Sequence, residues 1–173
     1  TWVTDADNDI VRKYDVFGNV LSTFNLSGYA LTSNLSSASP CCVAADRNLD
    51  VWITLFDAVS TIKINNQTGA IQFGVVPPYT NMDWSLSSSY LSGFGGGNSL
   101  TPSCVDTDSS NNAWVSYSHP LSSYLIKYSS TGQTLSSFRL SAFWSADSLL
   151  VDSTDKVWIV YKDCTTFATT LTS

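Results

Sequence analysis

Apolar and polar residues alternate in short runs along most of this chain, and turn residues separate the runs. No segment carries the apolar rhythm of i, i+3, i+4 and i+7 that marks one face of a helix. Alternation with a period of two places successive side chains on opposite faces of a strand. The pattern therefore predicts a protein built from many short β-strands.

One part of this pattern recurs at a fixed spacing. An apolar run ends at an aspartate, five residues follow, and a tryptophan with an apolar neighbour opens the next run. The three copies span Asp46–Trp52, Asp108–Trp114 and Asp152–Trp158. Aspartate suits a turn because its short carboxylate accepts hydrogen bonds from nearby backbone N–H groups. We expect the polar residues between the aspartate and the tryptophan to form a tight hairpin.

A second part of the repeat follows each tryptophan. It consists of an apolar–lysine–apolar strand, a turn that contains glycine, and a closing strand that carries a phenylalanine. The lysines are Lys13, Lys63 and Lys127, the turns are 17–19, 67–69 and 130–132, and the phenylalanines are Phe24, Phe73 and Phe138. Each full unit thus predicts four antiparallel strands, A to D. Four-stranded units with one tryptophan at a fixed place favour the blades of a β-propeller.

We predict an all-β fold, a β-propeller of four-stranded antiparallel blades, with about three and a half blades in one partial propeller. The predicted units are blade 1 (strands B to D) at 1–27, blade 2 at 40–76, a connector at 77–101, blade 3 at 102–140 and a partial blade 4 at 147–173. A blade buries its faces only against its neighbours, so we expect the tryptophans to fill the seams. We expect a segment of a larger ring, with a degenerate four-bladed ring as the alternative.

These motifs resemble the blade of NHL-repeat and streptogramin-lyase (virginiamycin B lyase) propellers. The resemblance covers nearly all of the chain outside two connectors, and the Trp-Asp pair typical of WD40 blades does not occur. The matching positions are those that build a blade, and a shared fold does not assign chemistry. The resemblance also directs attention to His119, because streptogramin lyases use loop histidines. His119 is the single histidine of the chain, so we expect a surface loop residue rather than a general base.

A candidate ligand site lies on the face that the D-to-A connectors and the B–C loops share, which is the usual ligand face of such propellers. The long connector at 77–101 carries Trp84, Tyr90 and Phe94. Long loops are commonly functional, and exposed aromatic side chains suit contacts with carbohydrate or protein. We predict Trp84, Tyr90, Phe94 and His119 as ligand-binding residues, with no catalytic residue. The alternative is that the aromatic side chains pin the connector onto the propeller rim.

A calcium site is a further candidate, because the run at 5–9 resembles the opening of a calcium-binding loop. The EF-hand pattern then fails, since Ile10 stands where glycine is needed and Val16 where the bidentate glutamate belongs. Asp7 and Asp57 could still point toward a central ion, as in some similar propellers. We expect solvated turn aspartates instead, with no bound metal and no cofactor.

The four cysteines, Cys41, Cys42, Cys104 and Cys164, do not have the spacing of metal ligands. Cys42 and Cys104 occupy equivalent strand A positions in neighbouring blades. We expect small, buried, unpaired thiols near the inner strands. A bridge that involves Cys41 or Cys164 stays open as an alternative.

Charge narrows the choice of partners. Eight lysines and arginines stand against 14 acidic residues, all of them aspartate, for a net charge of -6. Such a charge opposes the phosphate backbone of nucleic acids, and no apolar run is long enough to insert into a membrane. The Ser-, Thr- and Asn-rich, lysine-poor composition is similar to that of viral tail, fibre and appendage proteins. We therefore expect an extracellular or virion-surface location.

Together these features predict a non-catalytic structural or receptor-binding propeller module within a larger extracellular or virion assembly. Its partners would be other parts of that assembly and a protein or glycan ligand. The alternative is a streptogramin-lyase- or lactonase-like propeller enzyme whose active site lies largely outside this segment.

Overall fold

A computed structural model describes residues 1–29, 37–78, 100–118, 123–140, 144–163 and 169–172, and within these ranges the chain forms fourteen β-strands. They are β1 Trp2–Asp5, β2 Ile10–Tyr14, β3 Val20–Asn25, β4 Pro40–Ala45, β5 Val51–Leu55, β6 Ser60–Ile64, β7 Ile71–Val75, β8 Thr101–Thr107, β9 Ala113–Ser118, β10 Tyr124–Tyr128, β11 Thr134–Arg139, β12 Trp144–Val151, β13 Val157–Asp163 and β14 Thr169–Thr172. No helix in the described ranges is long and apolar enough to cross a membrane.

The strands form four antiparallel sheets in chain order. Their orders are β1–β2–β3, β4–β5–β6–β7, β8–β9–β10–β11 and β12–β13–β14. Neighbouring sheets touch through their inner strands, because β1 contacts β4, β4 contacts β8 and β8 contacts β12. The sheets therefore stack face to face as successive blades. The predicted all-β propeller fold is confirmed. The first and last sheets have three strands each in the described ranges, and the two sheets between them have four.

The repeated aspartate stabilises the A–B turn in blades 2, 3 and 4. Asp46 Oδ1 accepts hydrogen bonds from the backbone N of Asn48 at 2.9 Å and of Asp50 at 3.1 Å. Asp108 and Asp152 make the same two bonds, to the backbone N–H groups two and four residues further on. One carboxylate oxygen thus replaces the backbone partners that a tight turn lacks, which explains why aspartate recurs there.

The tryptophan of each blade lies on the face that meets the next blade. Trp52 is fully buried and belongs to a cluster with Val105, Val115 and Ile126 of blade 3. Phe73, on strand D of blade 2, packs edge-on against Trp52 with ring centroids 5.3 Å apart. The equivalent ring pairs are Trp2 with Phe24 and Trp114 with Phe138. The aromatic pairs of blades 1 and 2 thus fill the seams to the blades that follow them.

The strand C lysine completes this seam. Lys63 Nζ lies 5.5 Å from the centroid of the Trp52 ring and 2.8 Å from Asp46 Oδ2. It also donates a hydrogen bond to the carbonyl oxygen of Ser130 in blade 3, at 3.4 Å. The side chains of Lys63 and Asp46 are only 3% and 0% exposed, so the charge of each is neutralised by the other inside the seam. Lys13 and Lys127 lie over Trp2 and Trp114 in the same way.

A glycine in the C–D turn covers the phenylalanine of the preceding blade. A Cβ atom on Gly132 would lie 2.8 Å from the ring of Phe73 and 3.2 Å from Val75, and Gly69 approaches Phe24 in the same manner. Gly132 and Gly69 have positive φ, of 85° and 71° respectively. Glycine is required here both for the backbone conformation and for the close approach of the ring.

We predict that Gly132→Ala destabilises the protein more than Gly18→Ala. The two glycines have φ of +85° and +86°, so the backbone cost of alanine is the same, about 1–2 kcal/mol. Only Gly132 adds a collision with the Phe73 ring, worth about 1–3 kcal/mol, because a Cβ on Gly18 meets no atom within 4 Å. Urea unfolding of both variants measures the difference. Equal losses would show that Phe73 moves aside freely and that the seam is loose.

Candidate functional site

The predicted ligand-binding residues Trp84, Tyr90, Phe94 and His119 lie outside the described residues, so their role stays a prediction. The two aspartates considered for calcium are described. Asp7 and Asp57 stand at matching places in the B–C turns of blades 1 and 2, between β1 and β2 and between β5 and β6. We call the face formed by these turns, together with residues 37–39 of the first connector, the connector face.

Asp9 anchors the connector on this face. It is buried in the B–C turn of blade 1 with φ of +53°. Its Oδ1 accepts hydrogen bonds from Ser37 Oγ at 2.9 Å, from Ala38 N at 2.9 Å and from Ser39 N at 2.8 Å. The carboxylate therefore satisfies two backbone donors at the point where the connector enters β4. Sequence reasoning missed this role, because Asp9 resembles the other aspartates of the 5–9 run.

Asp57 is joined to the same network from the other side of the seam. Ser39 Oγ donates a short hydrogen bond to Asp57 Oδ2, and the hydroxyls of Ser37 and Ser39 lie 3.0 Å apart. A continuous chain of hydrogen bonds thus links Asp9 in blade 1 to Asp57 in blade 2. The Asp57 carboxylate is engaged in holding the connector, whereas Asp7 is exposed.

The first carboxylate of the 5–9 run is held by its own turn. Asp5 accepts hydrogen bonds from Asn8 Nδ2 at 2.9 Å and from Arg12 at 3.1 Å. The Asn8 amide and then the Arg12 guanidinium hold the pKa of Asp5 below its usual value. Throughout the described part of the chain, no three His, Cys, Asp or Glu side chains are grouped so that they could hold a metal ion.

The inner strands carry a second group of polar side chains. Strand A has a register irregularity in blades 2, 3 and 4, and the extra residues are Cys41, Ser103 and Asp147. A strand B hydroxyl fills the gap beside it: Ser116 Oγ accepts a hydrogen bond from Cys104 N at 3.1 Å and lies 3.0 Å from Ser103 Oγ. This contact explains why serine or threonine follows two residues after the tryptophan in blades 2 and 3.

The three described cysteines are unpaired, as expected, and all lie on these inner strands. Cys42 and Cys104 are partly buried; Cys41 is exposed as a residue, which differs from the expectation, although its sulfur is packed against β5 and β8. Its position at the irregularity turns the residue out of the regular alternation of the strand. Its sulfur lies 3.1 Å from Thr54 Oγ1 and 3.6 Å from the carbonyl oxygen of Ser103.

A buried chain of hydroxyls crosses the seam between blades 2 and 3. Thr61 Oγ1 lies 3.3 Å from Tyr117 Oη, which lies 3.0 Å from Tyr128 Oη. Burial raises the pKa of Tyr117 to about 12, so the hydroxyl stays protonated and serves as a hydrogen-bonding group of the core.

Comparisons with known proteins agree with this architecture. No family model and no curated protein matches the sequence. Among solved structures, the chain is similar to a streptogramin B lyase (TM-score 0.64, 14% identity, 99% of this chain and 50% of that one). It is also similar to a catalytically inactive virginiamycin B lyase from Staphylococcus aureus with quinupristin (0.59, 14%, 99% and 51%) and to Kuenenia stuttgartiensis hydrazine synthase (0.67, 8%, 99% and 45%).

These likenesses establish the fold at identities of 14% and below. They confirm a partial β-propeller of the streptogramin-lyase type. The chain spans about half the length of the solved structures that it matches.

We predict that Asp9→Gly loosens the connector face and that Asp9→Asn does not. Glycine tolerates the positive φ but leaves three donors without their acceptor, at a cost of about 1–3 kcal/mol for each buried group. Asparagine keeps one acceptor oxygen in the same place. Hydrogen exchange of the Ala38 and Ser39 amides measures the effect, and exchange should accelerate in Asp9→Gly alone. Unchanged protection in Asp9→Gly would show that other contacts hold the connector.

Proposed function

We propose that this chain is a non-catalytic β-propeller module of a larger extracellular or virion assembly, such as a tail, fibre or appendage, and that its end blades bind further blades. The observation that carries the proposal is that the first and last blades each expose a surface of the kind that is buried between blades 1 and 2 and between blades 2 and 3. We call these two surfaces the open halves of a seam.

One open half lies on blades 3 and 4. Phe24 and Phe73 are each covered by the C–D glycine of the next blade, but Phe138, at the same place in blade 3, is 48% exposed. On β12 and β13, Leu149 and Ile159 are buried toward blade 3. The alternate residues, Leu150 and Trp158, therefore lie on the opposite face, where Leu150 is mostly exposed.

The other open half lies on blade 1. In blades 2 and 3 the C–D turn receives the lysine of the preceding blade, at Asn66 Oδ1 (2.6 Å from Lys13 Nζ) and at the carbonyl of Ser130. The corresponding turn of blade 1 exposes Val16 and Phe17, and Gly18 there has open space beside it. The two end surfaces are therefore complementary, because blade 4 carries the tryptophan face and blade 1 carries the glycine turn.

The proposal of a non-catalytic module is supported by the structural contacts that the described carboxylates make. Asp9 and Asp57 hold the connector, and Asp46 and Asp108 hold turns and lysines. We propose that ligand contact is made by the aromatic residues of the 77–101 connector and by His119, toward a protein or glycan. The net charge of -6 disfavours nucleic acid as a partner.

We predict that the chain associates with itself through these end faces. Sedimentation velocity over a wide concentration range should show reversible association, because the face of blade 4 with the half-buried Trp158 and the exposed Leu150 can pack on the glycine turn of another copy. Leu150→Asp should abolish it by placing a charge on the tryptophan face. Leu135→Asp is the matched control: Leu135 is similarly exposed, at 51% against 57% for Leu150, but it lies at the register irregularity of β11 in blade 3 and not on the outer face of blade 4. A wild-type chain that stays monomeric throughout, or equal loss in both variants, would refute the role of the end faces.

A second candidate, a streptogramin-lyase-like enzyme, is favoured by the structural neighbours and is tested directly. We expect incubation with quinupristin to leave the compound intact under conditions in which a streptogramin B lyase consumes it. Consumption that His119→Ala removes, with the fold retained by circular dichroism, would replace our proposal with the enzyme.

A further inference from the structure

Two thiols meet across the seam between the inner strands of blades 2 and 3. Cys42 on β4 and Cys104 on β8 occupy matching places in the two blades. The backbone N–H of Val105, the residue directly after Cys104, donates to Cys42 Sγ at 3.4 Å, and Val105 O lies 3.7 Å from the same sulfur. The Cys42 sulfur is therefore seated against the backbone of β8, beside Cys104.

The surroundings of Cys42 favour its ionised form. The Val105 N–H donates a hydrogen bond to the Cys42 sulfur at 3.4 Å, a contact that favours the thiolate. The adjacent Cys104 side chain and this N–H lower the pKa of Cys42, although burial and the nearby Asp106 carboxylate oppose them. Hydrogen bonds that stabilise the thiolate make a cysteine nucleophilic at neutral pH.

Cys104 is the protonated member of the pair. The adjacent Cys42 side chain raises the pKa of Cys104, and burial raises it further. The Cys104 sulfur also lies 3.2 Å from the carbonyl oxygen of Asp147 in blade 4, an acceptor that favours a thiol. Within the pair, Cys42 therefore has the backbone N–H donor that favours a thiolate, and Cys104 has the carbonyl acceptor that favours a thiol.

The neighbouring Cys41 provides an internal contrast. Its sulfur faces the Thr54 hydroxyl and the carbonyl oxygens of Pro102 and Ser103, and carbonyl oxygens stabilise a thiol rather than a thiolate. Burial of the sulfur raises the pKa of Cys41. The more exposed residue of the two adjacent cysteines is therefore the less reactive one.

We propose that Cys42 is a nucleophilic modification site for small oxidised disulfides and that Cys104 resolves the adduct, so that oxidation joins the inner strands of blades 2 and 3 covalently. The proposal does not depend on the function proposed above.

The chemistry balances with oxidised glutathione as the oxidant. The Cys42 thiolate attacks one glutathione sulfur, the glutathione S–S bond breaks, and one glutathione leaves as its thiolate. Cys104 then loses its proton and attacks the Cys42 sulfur, and the second glutathione leaves as its thiolate. The two cysteines are oxidised and one oxidised glutathione is reduced by two electrons; the Cys104 proton and the proton that Cys42 released to solvent on ionising protonate the two glutathione thiolates.

The consequence is a cross-link between residues 62 positions apart in the chain, at the centre of a seam. A disulfide over such a loop restricts the unfolded chain and stabilises the folded one. Oxidation should therefore raise the Tm by several degrees, while the chain with both thiols reduced keeps its present value.

The test uses the full chain in a Cys164→Ser background, treated with oxidised glutathione and mapped by peptide mass spectrometry. We expect a cross-linked Cys42–Cys104 peptide pair, lighter by two hydrogens, and a higher Tm. Cys104→Ser should stop the reaction at a glutathione adduct on Cys42. Cys42→Ser should remove both products, whereas the matched control Cys41→Ser should keep the cross-link.

Three results would overturn the proposal. An adduct on Cys41 with Cys42 unmodified would show that exposure, and not the hydrogen bonds, decides reactivity. A glutathione adduct that persists on Cys42 in the presence of Cys104 would remove the resolving role. A Cys104→Ser variant that folds, by circular dichroism, but acquires no adduct on Cys42 would show that Cys42 is not a nucleophile.

Discussion

The structure depends on the burial of one tryptophan between each blade and the next. A four-stranded blade cannot cover its own faces, and an aromatic side chain buries on the order of 150–250 Å² in one place. Trp52 achieves full burial, with Phe73 against its edge and Lys63 over its ring. The glycine turn of the next blade is then forced to approach closely, which fixes the spacing of blades along the stack.

The repeated aspartate connects this seam to the turn that precedes it, because its two oxygens have different tasks. In Asp46 and Asp108 one oxygen accepts from the turn backbone and the other pairs with the lysine at 2.8 Å. In Asp152 the second oxygen instead accepts from Trp158 Nε1 at 2.9 Å, a bond that, with others, holds the pKa of Asp152 well below its usual range. A buried lysine and aspartate are tolerated only as such a pair, since either charge alone would be costly to desolvate.

On the connector face and on the inner strands, other buried polar groups are likewise paired with specific partners. On the connector face, the Asp9 carboxylate and two serine hydroxyls tie the entry of β4 to both adjoining blades. On the inner strands, irregularities in strand A turn side chains out of alternation and bring thiols and hydroxyls of successive blades together. The scaffold therefore carries thiols and hydroxyls on its inner strands and the connector contacts on a separate face.

The all-β class, the blade repeat and the position of the tryptophans in the seams could be predicted from the amino-acid sequence alone. These features are set by local chemistry, such as the bonds from Asp46 Oδ1 to backbone groups two and four residues away. The anchoring by Asp9, the exposure of Cys41 and the contact of Cys42 with Cys104 were decided only by the tertiary structure. The Asp9 and Cys42 contacts depend on how one sheet is stacked on another, and their partners, 28 to 63 residues apart, leave no periodic signal in the chain. The exposure of Cys41 depends on an irregularity in the pairing of β4 with β5.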